Sequence, residues 1–329
     1  MANRDATLLE RAGSALADVG SLGAGRPRVR RAVLIVLLAI VVAFLVGFAV
    51  TQWNRLPDFE WRFEPGWLAV SIVCMAGFLL AAAALWRVIL RLLGERLPAS
   101  AARAVWGQSL LARYVPTNAL MVLGRVVLAE REGVGKRACL ASIVYEIGIG
   151  LCAALIVGAY FALTLPSLED VPARFAVLAV VPAVLVVLHP RVFARIADFG
   201  LEKLGREALP STLPFSRVLL LALAYVANWC LIGVAVFSFA RALYPIGVGD
   251  LPFVAASYSV AFCVAVLTFV VPSGIGTRDA ALAASVAVVL PATVATAIAI
   301  AFRLLQTAVE LAFVGAVTLV AHRVRANGT

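Results

Sequence analysis

An apolar run breaks at Val271-Pro272-Ser273-Gly274-Ile275-Gly276-Thr277-Arg278-Asp279. The proline and glycines interrupt a helix, and a charged Arg-Asp pair follows. Lipid offers no partners to freed backbone groups or to charges, so such a stretch survives at bilayer depth only inside a protein cavity or pore. The stretch therefore indicates an intramembrane site. The alternative is a tight cytoplasmic turn between two helices.

The composition of the surrounding sequence is that of an integral membrane protein. Hydrophobic residues make up 63% of the 329 residues, against about 45–50% in soluble domains. The basic excess, 28 Lys+Arg over 18 Asp+Glu, does not require a nucleic-acid partner, because cytoplasmic loops of membrane proteins concentrate Lys and Arg. We predict no nucleic acid among the partners and an all-α fold.

Runs of about 20 apolar residues mark the membrane-spanning helices. The candidates are 32–51, 67–90, 138–165, 173–189, 217–243, 252–272 and 294–320. The amphipathic segment 104–129, broken by Pro116, is a candidate re-entrant hairpin. The sequence thus predicts a polytopic bundle of six to eight transmembrane helices with one or two Pro-broken re-entrant segments. Eight spans follow if 279–291 crosses, and six follow if 252–291 enters and returns.

The distribution of Lys and Arg orients the chain. Most of them fall on the cytoplasmic side if both termini are cytoplasmic, as the positive-inside rule requires. We predict a multi-pass protein of the cell (cytoplasmic) membrane. Its domains are a basic cytoplasmic tail at 1–31, a transmembrane domain at 32–322, and a second cytoplasmic tail at 323–329.

Two Pro-centred segments resemble each other. Arg113-Tyr114-Val115-Pro116-Thr117 precedes Arg125, and Phe269-Val270-Val271-Pro272-Ser273 precedes Arg278. Each segment is followed by a long apolar helix that holds one lone acid, Glu146 or Glu310. Inverted repeats whose broken helices meet near the midplane are a common transporter plan. Chance similarity is the alternative.

Charged residues at bilayer depth define the candidate site. A charge at the bilayer centre costs about 2.5–3.5 kcal/mol on insertion scales, so each needs a partner or a wet cavity. Arg303, Gln306, Thr307 and Glu310 form one polar stripe at helical spacing. Arginine binds phosphate through a planar fork of donors, which suits an anionic lipid headgroup. The alternative is a set of interhelical ion pairs that only hold the bundle together.

Enzyme signatures are not recognisable in this sequence. Gly274-Ile275-Gly276 lacks the third glycine of a dinucleotide loop, and no serine or histidine lies in a nucleophile motif. The two histidines and five cysteines form no metal-binding pattern. We therefore expect no metal, no cofactor and no catalytic residue, and whether the chain is an enzyme stays open, with transport favoured.

The motifs resemble those of the flippase-like family typified by the transmembrane domain of lysylphosphatidylglycerol synthase. Residues 272–279 match its P-G-G-hydrophobic-G-x-R-E stretch, and residues 113–117 match its K-Y-x-P-G stretch. Ser273 and Thr117 replace glycines of the family pattern, and Asp279 replaces its glutamate. The resemblance covers roughly residues 32–322.

The resemblance implies a membrane domain that binds or moves a lipid headgroup, either an anionic phospholipid or a polyprenyl phosphate. The predicted function is a lipid flippase. The alternatives are a non-catalytic partner of an envelope glycosyltransferase and a membrane-embedded transferase that uses a lipid-phosphate donor. The predicted substrate-binding residues are Arg113, Tyr114, Pro116, Arg125, Glu146, Pro272, Ser273, Gly274, Gly276, Arg278, Asp279, Arg303 and Glu310.

Overall fold

Long apolar runs form α-helices in the computed structural model, which describes residues 62–111, 118–168, 172–203, 213–267 and 276–326. A helix satisfies its own backbone groups, which is the requirement that a lipid environment imposes. The α-helices are α1 (Pro65–Leu92), α2 (Ala99–Leu110), α3 (Asn118–Glu130), α4 (Lys136–Thr164), α5 (Val180–Leu188), α6 (Pro190–Lys203), α7 (Phe215–Leu243), α8 (Leu251–Leu267), α9 (Thr277–Val286) and α10 (Ala292–Ala326). The all-α class is confirmed, and the described ranges contain no strand.

The chain divides into two units, Met1–Leu56 and Pro57–Thr329. The first unit lies outside the described residues, together with the predicted span 32–51 and the basic tail 1–31. All the helices named above belong to the second unit.

Five helical segments are long and apolar enough to cross a membrane within the described ranges. They are Pro65–Leu92, Lys136–Thr164, Phe215–Leu243, Val248–Val266 and Ala292–Val324. The chain is therefore a multi-pass membrane protein. The predicted single span at 173–189 is instead divided into a 3-10 helix, Pro172–Ala179, and the short helix α5. Pro182, which has no backbone N–H to donate, lies in the first turn of α5.

Helices α2 and α3 form the first broken hairpin. They pack against each other and are about 18 and 20 Å long, too short for a hydrocarbon core of about 30 Å. The loop after α1 and the loop before α4 meet at one end of the hairpin, because the Gly135 N–H donates to Glu95 Oε1 at 3.1 Å. The chain thus enters and leaves on one side, which supports the predicted re-entrant segment at 104–129. Residues 112–117, which follow α2 in the sequence, lie outside the described residues.

Helices α8 and α9 form the second broken hairpin. They also pack against each other, and α9, with ten residues, is only about 15 Å long. The break at 268–275 lies outside the described residues. Helix α9 then turns into the long helix α10.

The two hairpins belong to two similarly ordered sets of four helices, α1–α4 and α7–α10. The long helices α1 and α7 pack against each other. Helix α2 of the first set packs against α10 of the second, and α8 of the second packs against α4 of the first. This reciprocal exchange of contacts is the packing expected of an inverted repeat.

Small residues allow the closest helix contact of the second set. A Cβ atom added at Gly233 of α7 would lie 2.5 Å from the carbonyl oxygen of Ala255 in α8 and 2.8 Å from its Cα. Tyr258 lies one helical turn after Ala255. The close approach of α7 and α8 at Gly233 therefore determines the position of Tyr258 relative to α7.

Candidate functional site

A first polar cluster surrounds Arg125 of α3 and consists of Arg125, Glu146, Ser109, Trp106, Trp86 and Ser142. Arg125 is only 3% exposed, and its guanidinium forms an ion pair with Glu146 of α4. Its Nε donates to Ser109 Oγ of α2 at 3.0 Å. The charge is therefore neutralised and hydrogen-bonded inside the bundle, which a buried ion requires.

Two tryptophan rings enclose the Arg125–Glu146 pair. The guanidinium carbon of Arg125 lies 5.4 Å from the ring centroid of Trp86 and 5.7 Å from that of Trp106, within cation–π range. The indole N–H of Trp106 donates to Glu146 Oε1 at 2.7 Å, and that of Trp86 donates to Ser142 Oγ at 2.9 Å. Both rings thus contact the guanidinium of Arg125, and Trp106 also binds the carboxylate of Glu146.

A second polar cluster, Arg278, Asp279, Tyr258, Gln306 and Glu310, lies where α8, α9 and α10 meet. Arg278 donates from its terminal nitrogen Nη2 to Gln306 Oε1 at 3.0 Å. The hydroxyl of Tyr258 donates to the same oxygen at 3.3 Å, and Gln306 Nε2 donates to Glu310 Oε1 at 2.8 Å. Gln306 therefore connects the arginine to the lone acid of α10.

The second cluster is more open than the first around its arginine. The Arg278 side chain is 13% exposed and the Asp279 side chain 20%, whereas that of Arg125 is 4% exposed. Arg278 Nε lies 3.9 Å from Asp279 Oδ1, a loose ion pair, and its guanidinium also contacts the neutral amide of Gln306 and the ring of Tyr258. Both guanidiniums are charged, but that of Arg278 is more exposed and less closely paired with a carboxylate than that of Arg125.

A glycine positions Arg278 at the start of α9. Gly276 has φ +87°, a backbone conformation that side-chain-bearing residues rarely adopt, and its carbonyl accepts the N–H of Ala280 at 2.8 Å. This turn begins the helix at Thr277, so Arg278 and Asp279 fall in its first turn. A negative charge at that end of a helix is favourable, which accounts for the position of Asp279.

The two clusters are built on the same plan. In each, an arginine of the second hairpin arm lies over an aromatic ring of the first arm, Trp106 for Arg125 and Tyr258 for Arg278. In each, the arginine also binds a side chain of the long helix that follows, Glu146 or Gln306. The rings of Trp106 and Phe313 of α10 meet edge to face with centroids 6.2 Å apart, so the first cluster contacts the helix that carries the second.

Helix α7 contributes buried polar atoms near α4. The indole of Trp229 donates to the carbonyl of Gly150 at 2.9 Å. The hydroxyl of Tyr225 and the amide oxygen of Asn228 are both buried and have no hydrogen-bond partner among the described residues. Buried polar groups usually form a hydrogen bond with a protein group or with water, so a polar molecule suits the space between α7 and α4.

The structure brings together part of the predicted site. Arg125 and Glu146 are in direct contact, and Arg278, Asp279 and Glu310 belong to one cluster. Gly276 starts α9, and Arg303 is half-buried one turn before Gln306. The remaining predicted residues lie outside the described ranges: Arg113, Tyr114, Pro116, Pro272, Ser273 and Gly274.

Several contributing side chains were missed by the sequence interpretation, namely Trp86, Trp106, Ser109 and Tyr258. No clear signal marked the tryptophans, because Trp86 lies only four residues before the end of the predicted span 67–90, where an interfacial tryptophan is expected. In the part of the chain that the structure describes, no three His, Cys, Asp or Glu side chains group closely enough to hold a metal ion.

This architecture defines a class of membrane protein, a helical bundle whose two hairpins each carry an arginine that lies over an aromatic ring. Residues 32–313 match the lysylphosphatidylglycerol synthase transmembrane region family, and the chain belongs to that family. It is thus a membrane protein of phospholipid metabolism or transport. No curated protein and no solved structure matches the chain.

Proposed function

We propose that the protein is a lipid flippase that moves a phosphate-bearing lipid headgroup past Arg278. The observation that carries the proposal is that Arg278 is partly exposed, loosely paired, and held at the start of a broken helix inside a membrane domain. A permanently charged group is costly at such depth, and in membrane proteins it marks a substrate or ion pathway.

The chemistry of the second polar cluster suits a phosphate with hydroxyl or amine substituents. The guanidinium supplies planar, permanently charged donors to phosphate oxygens. Tyr258 and Gln306 add neutral donors, while Asp279 and Glu310 offset the positive charge. The two acids serve as counter-charges, as acceptors for a headgroup amine, or as proton carriers.

The Arg125–Glu146 pair has a different role from that of Arg278 in the arrangement described. Its charges are mutually neutralised, and Trp86, Trp106 and Ser109 occupy the surroundings of the guanidinium. The pair connects the first hairpin to α4, and removing one partner would leave an uncompensated charge inside the bundle. Phosphate binding is therefore assigned to Arg278 here.

The surroundings of the proposed site are those of the cell (cytoplasmic) membrane, with both termini on the cytoplasmic side. The asymmetric distribution of Lys and Arg supports this orientation. The anionic substrate is a phospholipid or a polyprenyl phosphate. An envelope glycosyltransferase is a proposed partner that would consume such a lipid.

A transport assay with matched arginine variants tests the proposal. The protein is reconstituted into phosphatidylglycerol-containing vesicles that carry a trace of phosphatidylglycerol with a fluorescent acyl chain. An impermeant reductant then reports which leaflet holds the label. We expect Arg278→Ala to reduce transport to the rate of protein-free vesicles and Arg278→Lys to restore it only in part, because an ammonium lacks the planar fork.

Arg217→Ala is the matched control, because Arg217 is an exposed arginine in the first turn of α7. It should leave transport unchanged. Wild-type transport by a correctly folded Arg278→Ala protein would remove Arg278 from the site. Transport lost equally in the Arg217 control would show that bulk charge, not the second cluster, matters.

A further inference from the structure

We infer that the first polar cluster is the closed form of a second headgroup site, and that the two hairpins open alternately. This inference rests on the proposed function, since it assigns the two arginines to two states of one transport cycle. The observation that carries it is that each hairpin has an arginine over an aromatic ring. The arginine is shielded in the first hairpin and partly exposed in the second.

The two clusters are equivalent in their arrangement. Arg125 with Trp106, and Arg278 with Tyr258, occupy corresponding arms of hairpins that pack reciprocally against α10 and α4. Inverted repeats commonly exchange conformations between halves, so that a site opens first to one side of the membrane and then to the other. After the exchange, Arg125 would have the more exposed surroundings and Arg278 the more shielded ones.

The two clusters differ in how closely their arginines are shielded. Arg125 has a carboxylate partner, a hydroxyl acceptor and two indole rings, whereas Arg278 has an amide acceptor, a carboxylate at 3.9 Å and one phenol ring. The two repeats have the same arrangement, but their arginines are shielded to different degrees. This is the arrangement expected of one end state of a two-state protein. In this state the arginine of the first hairpin is shielded, and that of the second hairpin is partly exposed.

The contacts that hold the first hairpin closed can be named. The carboxylate of Glu146 accepts from both Arg125 and Trp106, so it fastens both arms of the hairpin to α4. Release of Glu146 frees both arms at once. Arg125 would then be free to meet a phosphate, and the carboxylate would meet water or the headgroup.

Two native cysteines of α4 report this opening. Cys139 is fully buried and lies seven residues, or two helical turns, before Glu146, on the face of α4 that contacts the first hairpin. Cys152 is also buried, but it lies 13 residues further along α4, about 20 Å away along the helix axis. Opening of the first hairpin uncovers Cys139 and leaves Cys152 covered, whereas unfolding exposes both.

The experiment measures maleimide labelling of the full-length protein in nanodiscs, in two single-cysteine forms that keep only Cys139 or only Cys152. Maleimide should label Cys139 roughly tenfold faster in the Glu146→Gln variant than in the parent protein. This is the effect expected when a hydrogen bond between charged groups is lost. The labelling of Cys152 should not change. Glu130→Gln, which removes the acid of an exposed ion pair with Lys136, is the matched control and should leave both rates unchanged.

The outcomes separate this inference from the proposed function. Selective labelling of Cys139 supports alternate opening, while unchanged labelling of both cysteines, or equal acceleration of both, overturns it. The labelling needs no lipid transport, so it can fail while Arg278 is still required for transport. It can also succeed where the Arg278→Ala protein transports normally, which would overturn the proposed function alone.

Discussion

Gly233→Ala tests the helix packing that positions the second polar cluster. The added Cβ would lie 2.5 Å from the Ala255 carbonyl oxygen and 2.8 Å from both its Cα and its Cβ. These are backbone atoms and a methyl carbon, which cannot rotate away. Helices α7 and α8 must therefore separate, and Tyr258, one turn further along α8, moves with them.

The size of the effect follows from the overlap. Ordinary van der Waals contact begins at 3.4 Å, so the added carbon intrudes by several tenths of an ångström on three atoms at once. Forcing an extra methyl group into a well-packed contact costs typically about 1–3 kcal/mol. We expect that loss in the free energy of unfolding, and slower lipid transport because the contact between Tyr258 and Gln306 is displaced.

Unfolding in detergent, followed by circular dichroism over a denaturant titration, measures this cost. Gly315→Ala is the matched control, since Gly315 lies in α10 with nothing within 4 Å of the added atom. It should be neutral or stabilise by up to about 1 kcal/mol, because alanine is the better helix former. If Gly233→Ala were as stable as Gly315→Ala, the close approach of α7 and α8 would be refuted.

Two further predictions concern the lone acid of α10 and the orientation of the chain. Glu310→Gln should leave the melting temperature nearly unchanged, because its amide oxygen can still accept from Gln306, while transport falls; a large drop that Arg303→Gln restores would instead show a structural ion pair. Cysteines introduced at Glu169 and at Lys203 should be labelled from outside and inside, respectively. Labelling of position 203 from the external face would overturn the predicted orientation.

The class of fold and the first hairpin could be predicted from the sequence, because lipid imposes strict local rules, whereas the sequence left open whether 252–291 crosses the membrane or returns. A run such as 217–243 can only be a helix in a bilayer, and Pro116 marks a candidate break because proline has no backbone N–H to donate. The division of 173–189 into two helices was not foreseen. The hydropathy of this segment is that of a membrane span. Whether Pro182 interrupts a helix or lies in its first turn depends on where the helix begins.

The partners within the site could not be predicted from spacing alone. The stripe that holds Arg303 and Glu310 is visible as helical periodicity, but which helix faces it depends on tertiary packing. The sequence left Glu146 and Arg125 as either headgroup ligands or an ion pair. Their direct contact, and the tryptophans around them, arise from residues far apart in the chain.

Identification of the lipid that copurifies with the protein tests the central claim most directly. Native mass spectrometry is applied to the wild-type protein and to Arg278→Ala, extracted and purified in the same way. The account predicts a phosphate-bearing lipid bound to the wild-type protein and its loss from the variant, with both proteins folded. The same lipid bound equally to both proteins would contradict the assignment of the headgroup site to Arg278.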